Sequence, residues 1–393
     1  MFADRVASPH DIDPAGRNAL AHASKHRGTE LAIFLLDQGA DISQPDRLGS
    51  PASERFLKRS FGKMYSDNDT IIRRILKGDD SFDEFGFTTL HRIILGFDTR
   101  KLQVVLDATT DTLNTPDSFG RTGLFGAVFS DNFEHVQLLL TYGADPNVKD
   151  LRGYRPLDFV RGAAVCQLLL DRGAEMNINP KNYGRSSLHE HVLENGCPEV
   201  IDVFATAGFN IDVKDNDNET PLLNAIHRGQ TAVTKRLIEL GANVNGANIS
   251  SRDSAIHFAA HCDRPDILKM IVEHGADYTT LECYGRNLAH CAAKTGSTKF
   301  IKIMTAAQLR GLDIELKDHE GKTPSEIMES RMIMTDREVG VHEAWEDFIS
   351  SIAIQLPNRR LGNVEGEILE LDEHKQFERR WRMPGAFPVR DVP

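Results

Sequence analysis

Residues 218–245 read NETPLLNAIHRGQTAVTKRLIELGANVN. Thr220 ahead of Pro221 marks a helix start. The hydroxyl accepts a backbone N–H, and proline suits a first turn whose N–H has no intrahelical partner. Gly241 marks a helix end, because glycine reverses the chain there without steric cost. Elsewhere EHVQLLL at 134 and DILKMIV at 266 place apolar residues at helical spacing before a glycine. The order is therefore helix, turn, helix, then an extended loop.

Both ends of this unit recur. DQGADIS at 37, TYGADPN at 141, DRGAEMN at 171, ELGANVN at 239 and EHGADYT at 273 are copies of one heptapeptide, with a weaker copy, TAGFNID, at 206. From Gly143 through Gly173, Gly208, Gly241 and Gly275 the spacings are 30, 35, 33 and 34 residues. The start recurs as GRTGLF at 120, GYRPLD at 153, GRSSLH at 184, RDSAIH at 252 and GKTPSE at 321, with earlier copies GRNALA at 16, GSPASE at 49 and GFTTLH at 86. A fixed period of this length sets the fold class, and one helix pair has no second layer on which to bury its apolar face. Stacked neighbours must share the core. Leu90, Leu124, Leu157, Leu188, Leu222 and Ile256 hold one equivalent position in it.

With two motifs in constant phase, residues 13–353 resemble the ankyrin family, whose unit reads approximately G-x-TPLHxAA, a second helix, then LLxxGADxN. The resemblance implies an all-α solenoid of about nine repeats plus a C-terminal cap. GFTTLHRIILG at 86 is similar to arrays of filamentous fungi. We divide the chain into an N-terminal extension at 1–12, the array at 13–320, a capping repeat at 321–353 and a tail at 354–393.

Departures from the pattern are informative. The unit at 49–83 is degenerate, with a longer loop expected at Gly62–Asn68. The unit at 153–183 is contracted: Leu157 to Gly173 spans 16 residues where Leu124 to Gly143 spans 19. A notch is expected near 155–165. The unit at Gly285 has Ala289 at the leucine position and ends in AAQLRGLDIEL, without a standard GAD. In the cap, Trp345, Phe348, Ile349 and Ile352 fall at i, i+3, i+4 and i+7, so they should cover the last interface.

The 393 residues carry 46 Lys plus Arg against 58 Asp plus Glu, a formal charge of -12 that makes nucleic acid a poor main partner. No run approaches the ~18 apolar residues of a membrane span and the start lacks a secretory stretch, so an intracellular, soluble and monomeric protein is expected. The five cysteines are expected to be reduced. No GxSxG, HExxH, GxxxxGK[ST] or kinase-like signature is present, and the expectation is no catalysis and no cofactor.

His257, His261, Cys262, Cys283, His290 and Cys291 form a Cys/His cluster, but no CxxC pair accompanies them and no metal is expected. The resemblance implies instead that His91, His189, His257 and His290, at the TPLH position, order their own loops. It also marks Asn147, Asn177 and Asn245 as sites that asparaginyl hydroxylases modify in some ankyrin proteins, although Asn equally suits a tight turn.

The resemblance implies a protein partner bound by the concave surface of first helices and loop tips. By register, Phe129, Phe159, His227, Phe258, His261 and Lys294 should face inward, joined at the loops by Arg121, Tyr154, Arg185 and Arg286. Aromatic and arginine side chains are the types that anchor interfaces. Arg121, Arg185, Arg286 and Lys322 all follow the loop glycine, with Glu219 and Asp253 interrupting the series, so a mixed-charge, solvated face is expected. Two alternatives to an adaptor remain: a regulatory subunit or inhibitor of a separate enzyme or transcription regulator, and a metal- or ligand-dependent sensor.

Overall fold

A computed structural model describes residues 11–14, 17–25, 29–40, 86–176, 178–179, 183–194, 196–334 and 339–354. The unit at 49–83 with its expected loop, Asn177 and the tail beyond 354 lie outside these residues.

The unit built on 218–245 has the two expected helices, Pro221–Arg228 and Thr231–Glu239. Thr220 Oγ1 accepts the Leu223 N–H at 3.4 Å, and Pro221 occupies the first turn. Equivalent pairs follow one another along the chain. They are Thr89–Ile94 with Leu102–Ala108, Gly123–Phe129 with Phe133–Thr141, and Ser187–Glu194 with Pro198–Thr206. Ala255–His261 with Pro265–Glu273 and Leu288–Thr295 with Thr298–Ala306 continue the series. An earlier pair, Ala19–Lys25 with Thr29–Asp37, stands near the N-terminus. From Ser187 to the Pro324 helix, first helices pack against first helices, and from Leu102 to Thr298 second helices pack against second helices. This is the architecture that the repeat requires.

One apolar cluster runs from Leu90 to Ile352. Leu124, Leu157, Leu188 and Leu222 are each 0% exposed, while Leu90 and Ile256 are 1%, so the equivalent position is the spine of the stack. In the off-pattern unit at Gly285, Leu288 fills the core beside Ala289, both fully buried, and Gly311 at φ +81 turns the chain between buried Leu309 and Leu312. The core tolerates that residue exchange because the neighbouring leucine supplies the missing volume.

The cap consists of Pro324–Met334 and Val339–Ile354, the second carrying the expected aromatic face. Trp345, Phe348 and Ile352 are buried in the common cluster, Ile349 at its margin.

The contracted unit departs furthest. Its first helix is a single 3-10 turn, Pro156–Phe159, and its second, Ala163–Asp171, begins after three residues. Gly162 closes the connection through its N–H, which donates to Asp131 Oδ1 at 3.1 Å. The following loop holds a short antiparallel pairing of Ile178–Asn179 with Arg185–Ser186.

Candidate functional site

Four loops begin with an aspartate that organises its own turn. Asp117 Oδ1 accepts the N–H groups of Phe119 and Arg121, and Asp150, Asp215 and Asp318 do the same two and four residues on. The other carboxylate oxygen meets a guanidinium from the preceding unit. Arg121 Nε lies 3.1 Å from Asp150 Oδ2, Arg286 Nε 2.8 Å from Asp318 Oδ2, and Arg185 Nε 3.7 Å from Asp215 Oδ2. These pairs join consecutive loops.

This corrects one expectation. Arg121 and Arg286 do not stand open at loop tips: both are buried, and their charges are committed to the next unit. Arg185 is half-buried, and only Lys322 of that series is exposed. The mixed-charge face is therefore largely an internal seam. A cation that has lost its water is held where it finds a carboxylate, and the turn acid supplies one in a nearly dry place.

The TPLH histidines form a second seam. His91 shares its Nδ1 with Thr88 Oγ1 at 2.8 Å, while its Nε2 lies 2.9 Å from the Arg121 carbonyl of the next unit. His189 makes the same contacts with Ser186 and the Glu219 carbonyl, and His290 with Asn287 and the Lys322 carbonyl. Burial pushes these three imidazoles, and that of His257, whose Nδ1 meets Ser254 Oγ at 3.0 Å, below their ordinary pKa, with backbone carbonyls acting in the raising direction. Asp158 and Glu326 hold the equivalent place in GYRPLD and GKTPSE, accepting the N–H of Arg155 and of Thr323.

Asn147 and Asn245 make a third seam at the opposite loop. Asn147 donates to the Gly173 carbonyl at 2.8 Å and accepts the Glu175 N–H at 2.9 Å. Asn245 makes the same two contacts with Gly275 and Asp277.

The residues expected to face a partner divide into groups. Around the contracted unit, Phe159 packs 5.7 Å from Phe129, 5.3 Å from Tyr154 and 6.2 Å from Phe125, centroid to centroid. Arg121 lies 5.4 Å from the Phe159 ring, and Arg161, which the register did not single out, sits 4.4 Å over Phe129. Phe159, Tyr154 and Arg161 are half-buried, Phe129 nearly fully. Two units on, His227 stacks 5.6 Å from Phe258, which is core. Lys294 is exposed. Sequence register thus brings Phe129, Tyr154 and Phe159 together but leaves His227, His261 and Lys294 in separate units. A signal for Arg161 existed, since it is the middle residue of the three-residue connection that replaces the lost turn.

His261 belongs to a different cluster. Its Nε2 lies 3.5 Å from Asp253 Oδ1 and 3.8 Å from Cys291 Sγ. Burial alone lowers this imidazole, but the Asp253 hydrogen bond and the Cys291 contact outweigh it and hold the pKa above its ordinary value. Among the described residues, Asp253, His261 and Glu282 are the group of metal-ligating side chains that converge, their ligand atoms within 4.8 Å of one another. Burial, with Asp253 nearby, pushes the Glu282 carboxyl up. No helix among the described residues is long and apolar enough to cross a membrane.

Comparison with known proteins agrees with the repeat architecture. The ankyrin-repeat family model matches residues 119–151, and a three-copy ankyrin model matches 188–282. A B-cell lymphoma 3 protein homolog of Mus musculus is 27% identical over 212 residues, which is 51% of this chain and 47% of the relative. The ankyrin repeat and KH domain-containing protein mask-1 of Caenorhabditis elegans is 31% identical over 144 residues, 32% of this chain and 6% of its own length. The chain therefore spans about half or less of these relatives. Among solved structures, the human ASB11 ankyrin repeat domain superposes with a TM-score of 0.50 at 16% identity, covering 61% of this chain and 100% of that one. Domains of this fold mediate protein–protein interaction and are typically non-catalytic. The stacked helix pairs, the two phased motifs and the matching family models together show that this chain carries ankyrin repeats.

Proposed function

We propose that this chain is an adaptor that binds a protein partner, with the contracted unit as the centre of its recognition surface. The observation that carries the reading is the cluster of Tyr154, Phe159 and Arg161 over Phe129, half-buried where a helical turn is missing. Tyrosine, other aromatics and arginine dominate interface energetics, because they bury large rigid surfaces and keep a polar edge for direction. In other units the residue equivalent to Phe159 is buried, as Asn224, Phe258 and Cys291 are. Here the aromatic faces remain partly open, and a partner gains more by covering them than by covering a charged, solvated helix. Lys294 lies at the same register two units beyond His227 and extends the surface with a cation.

The seams formed by Arg121, Arg286 and the histidines hold the units in place, leaving these less buried side chains as the variable part. Cytoplasmic or nuclear residence and a monomeric state are part of the same reading, and no cofactor takes part.

The test is affinity capture on the full chain and on the Tyr154→Ala, Phe159→Leu double variant, each with its unfolding curve. An interface anchor is worth ~2 kcal/mol or more, so captured partner should fall about tenfold or further while the unfolding midpoint moves little. Full-strength capture by a folded double variant would place recognition elsewhere.

A further inference from the structure

We propose that Asp253, His261 and Glu282 form a binding site for one divalent transition-metal cation, which joins the unit that starts at 252 to the loop of the next. The argument begins with equivalent positions. At three junctions the residue after the loop glycine is Arg121, Arg185 or Arg286, facing Asp150, Asp215 or Asp318 of the next loop. At a fourth, Glu219 faces Asn248, whose amide lies 3.5 Å from its carboxylate. At the junction between 253 and 282 both positions hold acids, Asp253 and Glu282, and both are buried. Where three other junctions contain a guanidinium, this one contains two carboxylates.

Those carboxylates are also less satisfied than their equivalents. The turn aspartates accept two backbone N–H groups each, but Glu282 is longer by one methylene and its Oε1 has no hydrogen-bond partner. Asp253 Oδ1 has only the His261 imidazole, at a long 3.5 Å, while Ser251 Oγ donates to Oδ2. Each residue is more than nine-tenths buried, and the two groups approach the same point as His261. Leaving a charged oxygen dry and unpaired is costly, and an ion removes that cost.

The donor set selects the class of ion. One imidazole nitrogen and two carboxylate oxygens, with a fourth position open on the partly exposed side of His261, suit Zn²⁺ and its neighbours. Ca²⁺ and Mg²⁺ need six or more oxygen ligands. Metal–ligand bonds of ~2.0–2.2 Å put donor atoms roughly 3.5 Å apart, so the group, now within 4.8 Å, closes by about an ångström. His261 and Asp253, at 3.5 Å, already stand at that separation. The sequence pointed away from metal because it offers no CxxC pair; the carboxylates enter only when the loops are stacked.

The experiment uses the full chain, stripped with chelator and titrated with Zn²⁺ by calorimetry and thermal unfolding, then with Co²⁺ for its absorption spectrum. One equivalent should bind and raise the unfolding temperature, and the Co²⁺ form should lack a thiolate charge-transfer band. Asp253→Asn and Glu282→Gln should each weaken binding at least tenfold, since losing even an outer-sphere partner costs ~10–100-fold. Asp253→Arg restores the neighbours' pairing and should fold without metal while binding none. No binding by the stripped chain, unchanged affinity in Asp253→Arg, or a strong thiolate band would each overturn the proposal. The first would mean that the His261 imidazolium alone balances the acids, the others that the ion sits elsewhere.

Discussion

The unit at 218–245 and the contracted unit at 153–183 solve one packing problem with different amounts of helix. In the first, Pro221–Arg228 presents Leu222 to the core from two full turns. In the second, one 3-10 turn, Pro156–Phe159, delivers Leu157 to the same place, equally buried. The difference teaches that the spine needs one apolar side chain per unit at a set height, whereas the length of the first helix is free to vary. What the shorter unit gives up is covered surface, and Tyr154, Phe159 and Phe129 occupy that space.

The strongest challenge to this comparison is to remove the spine residue from both units. Leu222→Ala and Leu157→Ala should each cost ~2–5 kcal/mol by denaturant unfolding, from lost transfer energy and the cavity left behind. Leu157→Ala should lie lower in that range, because a single 3-10 turn relaxes into the void more readily than two α turns. Equal losses below about 1 kcal/mol would show that the leucines are not the common support.

Next in size is the seam between them. Arg121 comes from the unit before the contraction and reaches Asp150 at its entrance, with both side chains nearly dry. Arg121→Met leaves the carboxylate without its counter-ion and should cost ~3 kcal/mol, as breaking a buried pair does. Arg185→Met, at the wider and wetter Arg185–Asp215 contact, should cost under ~1 kcal/mol. Similar values for the two would mean that the surrounding turn, whose N–H groups Asp150 also accepts, carries the carboxylate alone.

How far the sequence foretold this arrangement follows from the range of the signal. Helix starts, helix ends and the leucine register depend on residues within one unit, so Thr220, Gly241 and Leu222 could be read directly. The contraction was visible as a short spacing. What the spacing did not contain was the partner of each charged side chain, which belongs to the next unit about thirty residues on. Arg121 and Arg286 therefore read as surface cations until Asp150 and Asp318 are placed beside them. Glu282 was overlooked for the same reason: it matters only across the junction from Asp253.

Acidification separates units by their buried histidines. His91, His189, His257 and His290 are held below the ordinary value of 6.5, chiefly by burial, so the unfolded chain takes up protons first as pH falls. Their contribution is complete above pH 6.5 and is lost as pH drops towards the folded values. Each proton gives a slope of at most ~1.4 kcal/mol per pH unit. The contracted unit has Asp158 in that place and no histidine elsewhere, whereas the unit at 218 has Leu223 there but carries His227, which burial also lowers. Hydrogen exchange between pH 7 and 5 should show protection falling around Thr89–Ile94, Ser187–Glu194, Ala255–His261 and Leu288–Thr295 before it falls in the contracted unit. Uniform loss across all units would mean that the stack opens as one cooperative body.

The smallest effect on stability decides most about function. Phe159→Leu keeps an apolar side chain of similar bulk while removing the ring that packs against Tyr154, Phe129 and the Arg121 guanidinium. Because Phe159 is only half-buried and Leu157 carries the spine, the change should cost ~1 kcal/mol, the size of one or two aromatic contacts. If the notch exists only to fill space, binding should fall no further than stability does. If the open ring is an anchor, captured partner should drop about tenfold in a chain that melts almost unchanged. A pair of measurements on one variant, the unfolding midpoint and the partner retained, therefore tells packing from recognition at the point where the short unit differs from the long one.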